Sequence, residues 1–402
     1  FFFRWASTPV RVPGFSLSHR QTLALLLPLH GLVFAIVIVW LIRAKEAVRD
    51  VTHILNVVGG FFLATSLLPL LTGLRPTIVA EAAPPPPAPA EGMIVARSPL
   101  PYLPDIYFIV LDQYPRADGL QQVFGHDNSP FLGELRKLGF TVLDRCASNY
   151  PRTAMSIAST LNLNYLDVLL GKVREDAQDL GLPAKFISHS LAFDYARERG
   201  YKTVYLPPDF GVGTPANADI VLDSGSRLSE FQRALIAMTP VQDFVDAAAS
   251  EYSPAEFHRR HVRYMIEQLR RVPRLGASPM LVYAHIICPH PPIVFGADGE
   301  AVDALLADNP PANWARDPEV RAAYVNQVVF MSREALRIVR AILERSPRPP
   351  VIVLCSDHGT DFEVDWQRPE HSKLQERMAN LQAYYLPGGG EKLLYPTMTN
   401  VN

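Results

Sequence analysis

The feature that most restricts the fold of this chain is an apolar run without a formal charge, residues 22–42, with the sequence TLALLLPLHGLVFAIVIVWLI. A helix needs about 20 such residues to cross a bilayer. Residues 51–74 repeat the pattern more weakly after the charged turn RAKEAVRD. Either run alone could be a buried core helix, but two runs around a charged turn favour a membrane hairpin. Residues 1–75 are therefore predicted to be a membrane region with two transmembrane helices.

The positive charges next to these runs predict an orientation. Arg43, Lys45 and Arg49 lie in the turn, and positively charged residues favour the cytoplasmic side, although three arginines also precede the first run. The proline-rich segment 76–104 cannot form a regular hydrogen-bond ladder and is predicted to be an extended linker. The domain that follows should then lie on the outer, periplasmic or extracellular, side of a cell membrane. Because the chain begins with Phe1 rather than Met, we expect it to be part of a longer protein.

The overall composition fits a membrane protein and excludes one class of partner. Hydrophobic residues make up 48% of the chain and charged residues only 19%, which is more apolar than an ordinary soluble enzyme. The formal net charge is −2, and the sequence has neither a zinc-finger spacing nor a basic helix. A nucleic-acid partner is therefore not expected.

From residue 105 onward, short β-rich apolar runs alternate with amphipathic helical stretches. The runs are DIYFIVLD, KTVYLP, PMLVYAHI and PPVIVLCSD, and the helical stretches include residues 253–272 and 317–346. Such alternation is typical of an α/β fold in which a mostly parallel central sheet is flanked by helices. Residues 105–402 are predicted to form this domain.

Polar residues end two of the predicted strands abruptly. Asp112 ends the first strand, and Asp357 and His358 end the last. Ligands of open α/β sheets bind at the carboxyl ends of the strands. A lone Asp there is usually a capping or turn residue, but three donors from opposite halves of one domain indicate ligands of a divalent cation. Carboxylate with imidazole suits zinc or manganese, with magnesium or calcium as alternatives.

The stretch CSDHGTDF, in which a strand runs into Asp-His-Gly, resembles the metal-binding signature of the alkaline phosphatase superfamily. That superfamily includes sulfatases, phosphoethanolamine transferases and lipoteichoic acid synthases. Its members place a strand ending in a metal-binding carboxylate first, a hydroxyl nucleophile at a helix start second, and the Asp-His pair last. Asp112, the stretch SNYPRTAMSIAST and Asp357 with His358 match that order. The resemblance covers about residues 105–402 and implies a membrane-anchored, sulfatase-like hydrolase or transferase acting on a membrane lipid or another envelope phosphoester or sulfate ester.

The stretch SNYPRTAMSIAST, residues 148–160, predicts the nucleophile. Pro151 suits the first turn of a helix, and a helix start directs unpaired N–H groups at an oxyanion. Thr153 is then placed to bind the cation through its hydroxyl and to attack, and Arg152 to contact a phosphate or sulfate oxygen. The alternatives are Ser148 or Ser156 as nucleophile, or an ordinary helix start with a solvated arginine.

The same stretch separates the branches of the superfamily. Sulfatases that use formylglycine require Cys or Ser followed by x-Pro-x-Arg, whereas Asn149 stands two residues before Pro151. A threonine nucleophile instead resembles the enzymes that move phosphoethanolamine or phosphoglycerol through a phosphothreonine. The remaining alternatives are a hydrolase that passes the group to water, and a catalytically silent envelope assembly or binding protein.

Further candidate residues come from the same resemblance. In AHIICPHPP, His285 and His290 resemble the His-x4-His element of phosphoethanolamine transferases. His290 is then a candidate substrate contact that stabilises the transferred group or the leaving oxygen, or a ligand of a second metal ion. His285 is either a substrate contact or a buried strand histidine. His371 and Lys373, which follow Asp-His-Gly, are candidate substrate contacts. The three cysteines, Cys146, Cys288 and Cys355, have no disulfide-framework spacing and are interpreted as apolar packing residues.

Overall fold

The structure is a computed structural model, and its residues fall into two compact units. It describes residues 11–12, 15–16, 32, 36, 39, 56–60, 100–170, 181–209, 215, 217–224, 254–276, 279–302, 314–365, 368, 370 and 372–402. The first unit comprises Phe1–Ala82 and Phe231–Val245, and the second Ala83–Glu230 and Asp246–Asn402.

The described residues of the first unit include a short antiparallel hairpin, and residues 32, 36, 39 and 56–60 are helical. Strands β1 (Arg11–Val12) and β2 (Phe15–Ser16) form the hairpin. Most of the two predicted spans, 22–42 and 51–74, lies outside the described residues. Among those that are described, no helix is long and apolar enough to cross a membrane.

The second unit is built on a seven-stranded sheet in the order β4-β9-β8-β3-β7-β5-β6. Its strands are β3 (Ile106–Leu111), β4 (Thr141–Val142), β5 (Lys202–Leu206), β6 (Ile220–Val221), β7 (Met280–Ile286), β8 (Val351–Cys355) and β9 (Gln382–Tyr385). The pairs β8-β3, β3-β7, β7-β5 and β5-β6 are parallel. Strand β9 runs antiparallel to both of its neighbours. The predicted mostly parallel sheet and its four apolar strands are confirmed.

Helices cover both faces of this sheet. The α-helices are α1 (Ala117–Phe124), α2 (Ser129–Lys137), α3 (Thr153–Leu161), α4 (Leu166–Leu170), α5 (Gly181–Ser188), α6 (Leu191–Glu198), α7 (Pro254–Arg271), α8 (Pro318–Arg345) and α9 (Leu374–Met378). Short 3₁₀ segments lie at Val272–Arg274, Trp314–Arg316 and Pro387–Leu393. The stretches predicted as helices at 253–272 and 317–346 correspond to α7 and α8.

The central strand β3 is apolar along its length because both of its faces are covered. Ile109 and Leu111 belong to a large core cluster that includes residues of α7 and α8, such as Met265 and Val328. Val110, which points to the other face, packs in a second cluster with residues of α3, α5 and α6. A strand buried on both faces has no need of polar residues, so the first polar side chain marks the point where the strand leaves the core. Directly after β3 that residue is Asp112.

The register of the three central strands determines where their ends meet. Val110 of β3 is paired with His285 of β7 on one side and with Cys355 of β8 on the other. Residues that follow these positions therefore emerge together at the carboxyl edge of the sheet. Asp112, His285 and Asp357 reach one small region of that edge.

Candidate active site

The predicted metal ligands converge at this edge of the sheet. Asp112 is 2% exposed, and His285, Asp357 and His358 are fully buried. One ligand atom from each of Asp112, His285 and Asp357 lies within 4.8 Å of the other two. His358 Nε2 lies 3.1 Å from Asp357 Oδ2 and 3.9 Å from Asp112 Oδ1. The side chains of Asp112, Asp357 and His358, which were predicted to bind the cation, thus lie close together.

The hydrogen bonds of His358 define which of its ring nitrogens could bind a metal. Its Nδ1 lies 3.0 Å from the carbonyl oxygen of Gly359, which can only accept, so Nδ1 carries the proton. Nε2 then carries a lone pair. A hydrogen bond of this kind from the distal nitrogen is the usual way in which a protein orients a ligating histidine.

Unpaired buried acceptors indicate that these residues fit a divalent cation. Asp112 Oδ1 and Asp357 Oδ2 are buried and have no hydrogen-bond partner among the described residues. A buried carboxylate oxygen without a partner costs several kcal/mol, and the 3.1 Å contact between Asp357 Oδ2 and His358 Nε2 places two acceptors against each other. A cation with oxygen and nitrogen ligands removes both costs.

The electrostatics of the site favour the ligating protonation states. Burial by itself would raise the pKa of Asp112, but the nearby His290 and the hydrogen bond from His285 lower it, so the carboxylate stays ionised. Burial lowers the pKa of His358 and keeps its imidazole neutral. Ionised carboxylate and neutral imidazole are the forms that bind metals.

His285 acts on Asp112 from inside the sheet. Its Nε2 donates to Asp112 Oδ2 at 3.0 Å, which leaves Oδ1 of the same carboxylate to face the site. Burial tends to lower the pKa of His285, but the hydrogen bond and the negative charge of Asp112 outweigh that effect and raise it. His285 is therefore placed as a fully buried strand histidine that orients a carboxylate.

Thr153 is the hydroxyl residue directed at this site. Helix α3 begins at Thr153, two residues later than the start expected from Pro151, with Arg152 as its extended N-cap residue. Thr153 Oγ1 lies 2.9 Å from His358 Nε2, to which it can donate. Because Thr153 is the first residue of the helix, the N–H groups of the first turn have no partner within the helix and point towards the end at which the Thr153 hydroxyl lies.

The two alternative serine nucleophiles are engaged elsewhere. Ser156 is buried, and its Oγ donates to the backbone oxygen of Asp357 at 2.8 Å. Ser148 Oγ donates to the backbone oxygen of Tyr150 at 3.2 Å. Both hydroxyls position backbone around the site, whereas that of Thr153 faces a side-chain acceptor within it.

Of the remaining predicted residues, one contacts the backbone of a proposed ligand and two are exposed. His290 follows the turn after β7, its backbone N–H donates to the backbone carbonyl oxygen of Asp112 at 3.1 Å, and its proximity helps to lower the pKa of the Asp112 carboxyl group. Arg152 is exposed at the start of α3. Lys373 is also exposed, with Nζ 3.7 Å from Glu363 Oε2 and 3.6 Å from Glu376 Oε1. His371 lies outside the described residues.

Two residues of the site have no signal in the sequence. Gln113 takes up a left-handed backbone conformation, φ 60°, which lets its N–H donate to Asp357 Oδ1 at 3.2 Å. Arg377 of α9 is buried and donates from Nη2 to His358 Nε2 at 2.9 Å. Neither lies in a recognisable motif, because each depends on a contact between segments far apart in the chain.

Gly359 allows α9 to approach the Asp-His-Gly turn. A Cβ atom at this position would lie 2.2 Å from the carbonyl oxygen of Glu376 and 2.4 Å from that of Ala379. Any side chain would therefore push α9 away and move Arg377 from His358. This close approach is the physical reason for glycine after Asp357 and His358.

A second histidine pair lies beyond the end of β5. His258 Nδ1 is 2.7 Å from Asp209 Oδ2, and His261 Nε2 donates to the backbone oxygen of Pro207 at 2.9 Å. These contacts join the segment after β5 to helix α7. The cysteines are buried and free of disulfides, all three being within the described residues, which agrees with their interpretation as packing residues.

Comparison with known proteins gives matches only among solved structures. No family model and no curated protein matches the chain. The C-terminal periplasmic domain of EcEptC from Escherichia coli, in complex with zinc, is 12% identical with a TM-score of 0.48, over 73% of this chain and 76% of that one. The integral membrane phosphoethanolamine transferase EptA from Neisseria meningitidis is 13% identical with a TM-score of 0.46, over 74% of this chain and 50% of that one.

A third similar structure is the phosphonate monoester hydrolase of Agrobacterium radiobacter, at 14% identity and a TM-score of 0.45, over 74% of this chain and 71% of that one. The match to EptA, in contrast, covers only half of that protein, so this chain spans about half of EptA's length.

Proposed function

We propose that this chain is a metal-dependent, sulfatase-like transferase or hydrolase of phosphoesters, with Thr153 as its nucleophile. The observation that carries the proposal is the 2.9 Å contact between Thr153 Oγ1 and His358 Nε2. It places a hydroxyl at a helix start beside a nitrogen lone pair and two buried carboxylates. No other arrangement of a nucleophile, an anion site and cation ligands is found among the described residues.

Asp112, Asp357, His358 and the hydroxyl of Thr153 would hold the cation. When bound, a divalent ion, zinc or manganese by its ligand set, favours the ionised form of the hydroxyl and offsets negative charge on the transferred group. Gln113 holds Asp357 through Oδ1, and His285 holds Asp112 through Oδ2, so each carboxylate keeps one oxygen for the ion. The positions of these ligands are therefore fixed by neighbours on the chain itself.

In the first half of the reaction, Thr153 loses its proton and its Oγ1 attacks phosphorus in line with the leaving oxygen. A new Oγ1–P bond forms as the bond to the leaving alcohol breaks, and the leaving oxygen takes up a proton. In the second half, an acceptor hydroxyl loses its proton, attacks the phosphothreonine and restores Thr153. The N–H groups of α3 stabilise the oxygens of the group during both transfers, and His290 is proposed to contact the transferred group or leaving oxygen.

Two alternatives are less well supported by the residues. A formylglycine sulfatase would need Cys or Ser at the position of Asn149, whose amide instead donates to Ser159 Oγ at 2.9 Å. A silent binding protein has no need of unpaired buried oxygens on Asp112 and Asp357, which cost stability unless they bind a cation.

We further propose that the catalytic unit is tethered to a membrane and acts on its outer side on a lipid or another envelope ester. The apolar runs 22–42 and 51–74 support this proposal, as do exposed apolar side chains at helical positions within them, among them Leu32, Ile36 and Val57. Exposed apolar side chains are costly in water and favourable in lipid.

The proposed function is tested with the full chain in detergent. A panel of phosphodiester, phosphomonoester and sulfate ester substrates is assayed with added zinc, manganese or calcium. We expect turnover of a phosphodiester that a chelator removes and one of these ions restores. Turnover of sulfate esters alone would contradict the phosphoester assignment, and turnover unaffected by exhaustive chelation would contradict metal dependence.

The orientation is tested with a reporter that is active only outside the cytoplasm. Fused at residue 100, after the predicted linker, it is expected to be active, because the charged turn 43–50 is predicted to remain in the cytoplasm. The matched control is the same reporter fused within that turn, which should be inactive. Activity only in the turn fusion would reverse the orientation.

A further inference from the structure

Arg377 is a buried cation at the centre of the candidate site that the mechanism above does not use. Arg377 is only 5% exposed, and arginine is rarely buried without a specific partner. It lies on α9, outside every motif that the sequence contains. Burial tends to lower its pKa, and the nearby Asp361, Asp357 and Asp112 oppose that shift. The guanidinium keeps its charge, as arginine does throughout proteins.

Two of its donor groups hold the site together. Nε donates to the carbonyl oxygen of Pro151 at 2.8 Å, and Nη1 donates to that of Gly359 at 3.0 Å. Pro151 precedes the start of α3, and Gly359 follows His358. Arg377 therefore links the turn that carries the proposed nucleophile to the turn that carries two proposed metal ligands.

The third donor group faces the reacting atoms. Nη2 lies 2.9 Å from His358 Nε2, the same atom that lies 2.9 Å from Thr153 Oγ1. Nε2 has a single lone pair, so a cation bound there would leave Nη2 to donate to another acceptor beside Thr153. Since Nε and Nη1 are held by backbone oxygens, Nη2 is fixed in position without needing to be ordered when a substrate arrives.

We propose that Arg377 Nη2 binds a non-bridging oxygen of the phosphoryl group carried by Thr153. The guanidinium then forms a subsite for tetrahedral oxyanions. The inference builds on the proposed function, because it names the residue that recognises the transferred group. The sequence assigned this contact to Arg152, which is exposed at the start of α3. Arg377 meets the requirement better because it is buried, charged and directed at the site, where a charge-assisted hydrogen bond is strongest.

The test measures binding of inorganic phosphate to the full, metal-loaded chain by calorimetry. The variants are Arg377→Gln, which removes the charge, and Arg377→Lys, which keeps the charge but loses the fork of donors. We expect both to bind phosphate about tenfold more weakly or worse, with metal content unchanged. The control is Arg368→Gln, since Arg368 is exposed and pairs with Asp365 at 2.9 Å; it should alter phosphate affinity by less than about twofold.

A residue that only supported the fold would change thermal stability without changing phosphate affinity in the folded protein. Unchanged phosphate affinity in either folded, metal-loaded Arg377 variant would therefore overturn the proposal. Failure of both variants to fold would make Arg377 a structural residue and would also overturn it. The proposed function fails separately, through full turnover by a Thr153→Ala variant, and that outcome does not depend on phosphate affinity.

Discussion

Replacing Thr153 by alanine is expected to abolish turnover of a phosphodiester while the metal remains largely bound. The reason is that the other proposed ligands, Asp112, Asp357 and His358, persist, whereas the hydroxyl proposed to attack phosphorus is lost. Loss of a nucleophile in this kind of transfer commonly costs several orders of magnitude in kcat. Steady-state kinetics on metal-loaded protein measures the effect.

Three further variants define the role of the threonine. Thr153→Ser should retain part of the activity, because it offers the same hydroxyl with one methyl group fewer. Ser156→Ala should stay within about tenfold of the wild type, since its hydroxyl donates to a backbone oxygen. Thr160→Ala, at the far end of α3, is the matched control for threonine loss in the same helix and should be fully active. A fall of less than about tenfold for Thr153→Ala, roughly 1.4 kcal/mol of barrier, would be too small for a nucleophile.

Replacing Asp357 or His358 by alanine is expected to remove the bound metal ion. Both residues are fully buried. The Nε2 atom of His358 lies close to a carboxylate oxygen of Asp357 and to one of Asp112. Loss of one ligand from a site with so few protein donors lowers metal affinity by orders of magnitude. Elemental analysis after gel filtration gives the metal content, and circular dichroism shows whether the protein remains folded.

The sheet should survive both substitutions because the core of β8 lies in Ile352 and Leu354, before the ligands begin. The control is Asp298→Ala, which removes a carboxylate that is 90% exposed and should leave the metal content unchanged. Full metal content in both the Asp357 and His358 variants would show that the Asp-His-Gly turn does not hold the ion.

The sequence predicted the part of the site that local pattern determines. Each apolar strand ends at a polar residue, and the carboxyl ends of parallel strands meet at one edge, so the pattern alone groups Asp112, Asp357 and His358. The confirmed strands β3, β5, β7 and β8 share that cause, since residues buried on both faces must be apolar.

The parts that the sequence did not predict depend on contacts between distant segments. The antiparallel strand β9 and the arginine of α9 follow the Asp-His-Gly turn, and their places are set by packing against β8 and against the loop before α3. Gln113 adopts a left-handed conformation because its N–H reaches Asp357, which is remote in sequence. The helix starts at Thr153 rather than at Pro151 because Arg152 has an extended backbone, and the carbonyl oxygen of Pro151 accepts from Arg377 instead.

The covalent state of Thr153 tests the central claim most directly. The full chain is given a phosphodiester donor with the acceptor withheld, stopped with acid and digested, and the peptide containing Thr153 is sequenced by mass spectrometry. We predict a phosphoryl-type adduct on Thr153 that accumulates without acceptor and disappears when acceptor is added. An adduct on Ser148 or Ser156, or turnover without any adduct on this peptide, would contradict the claim that Thr153 is the nucleophile.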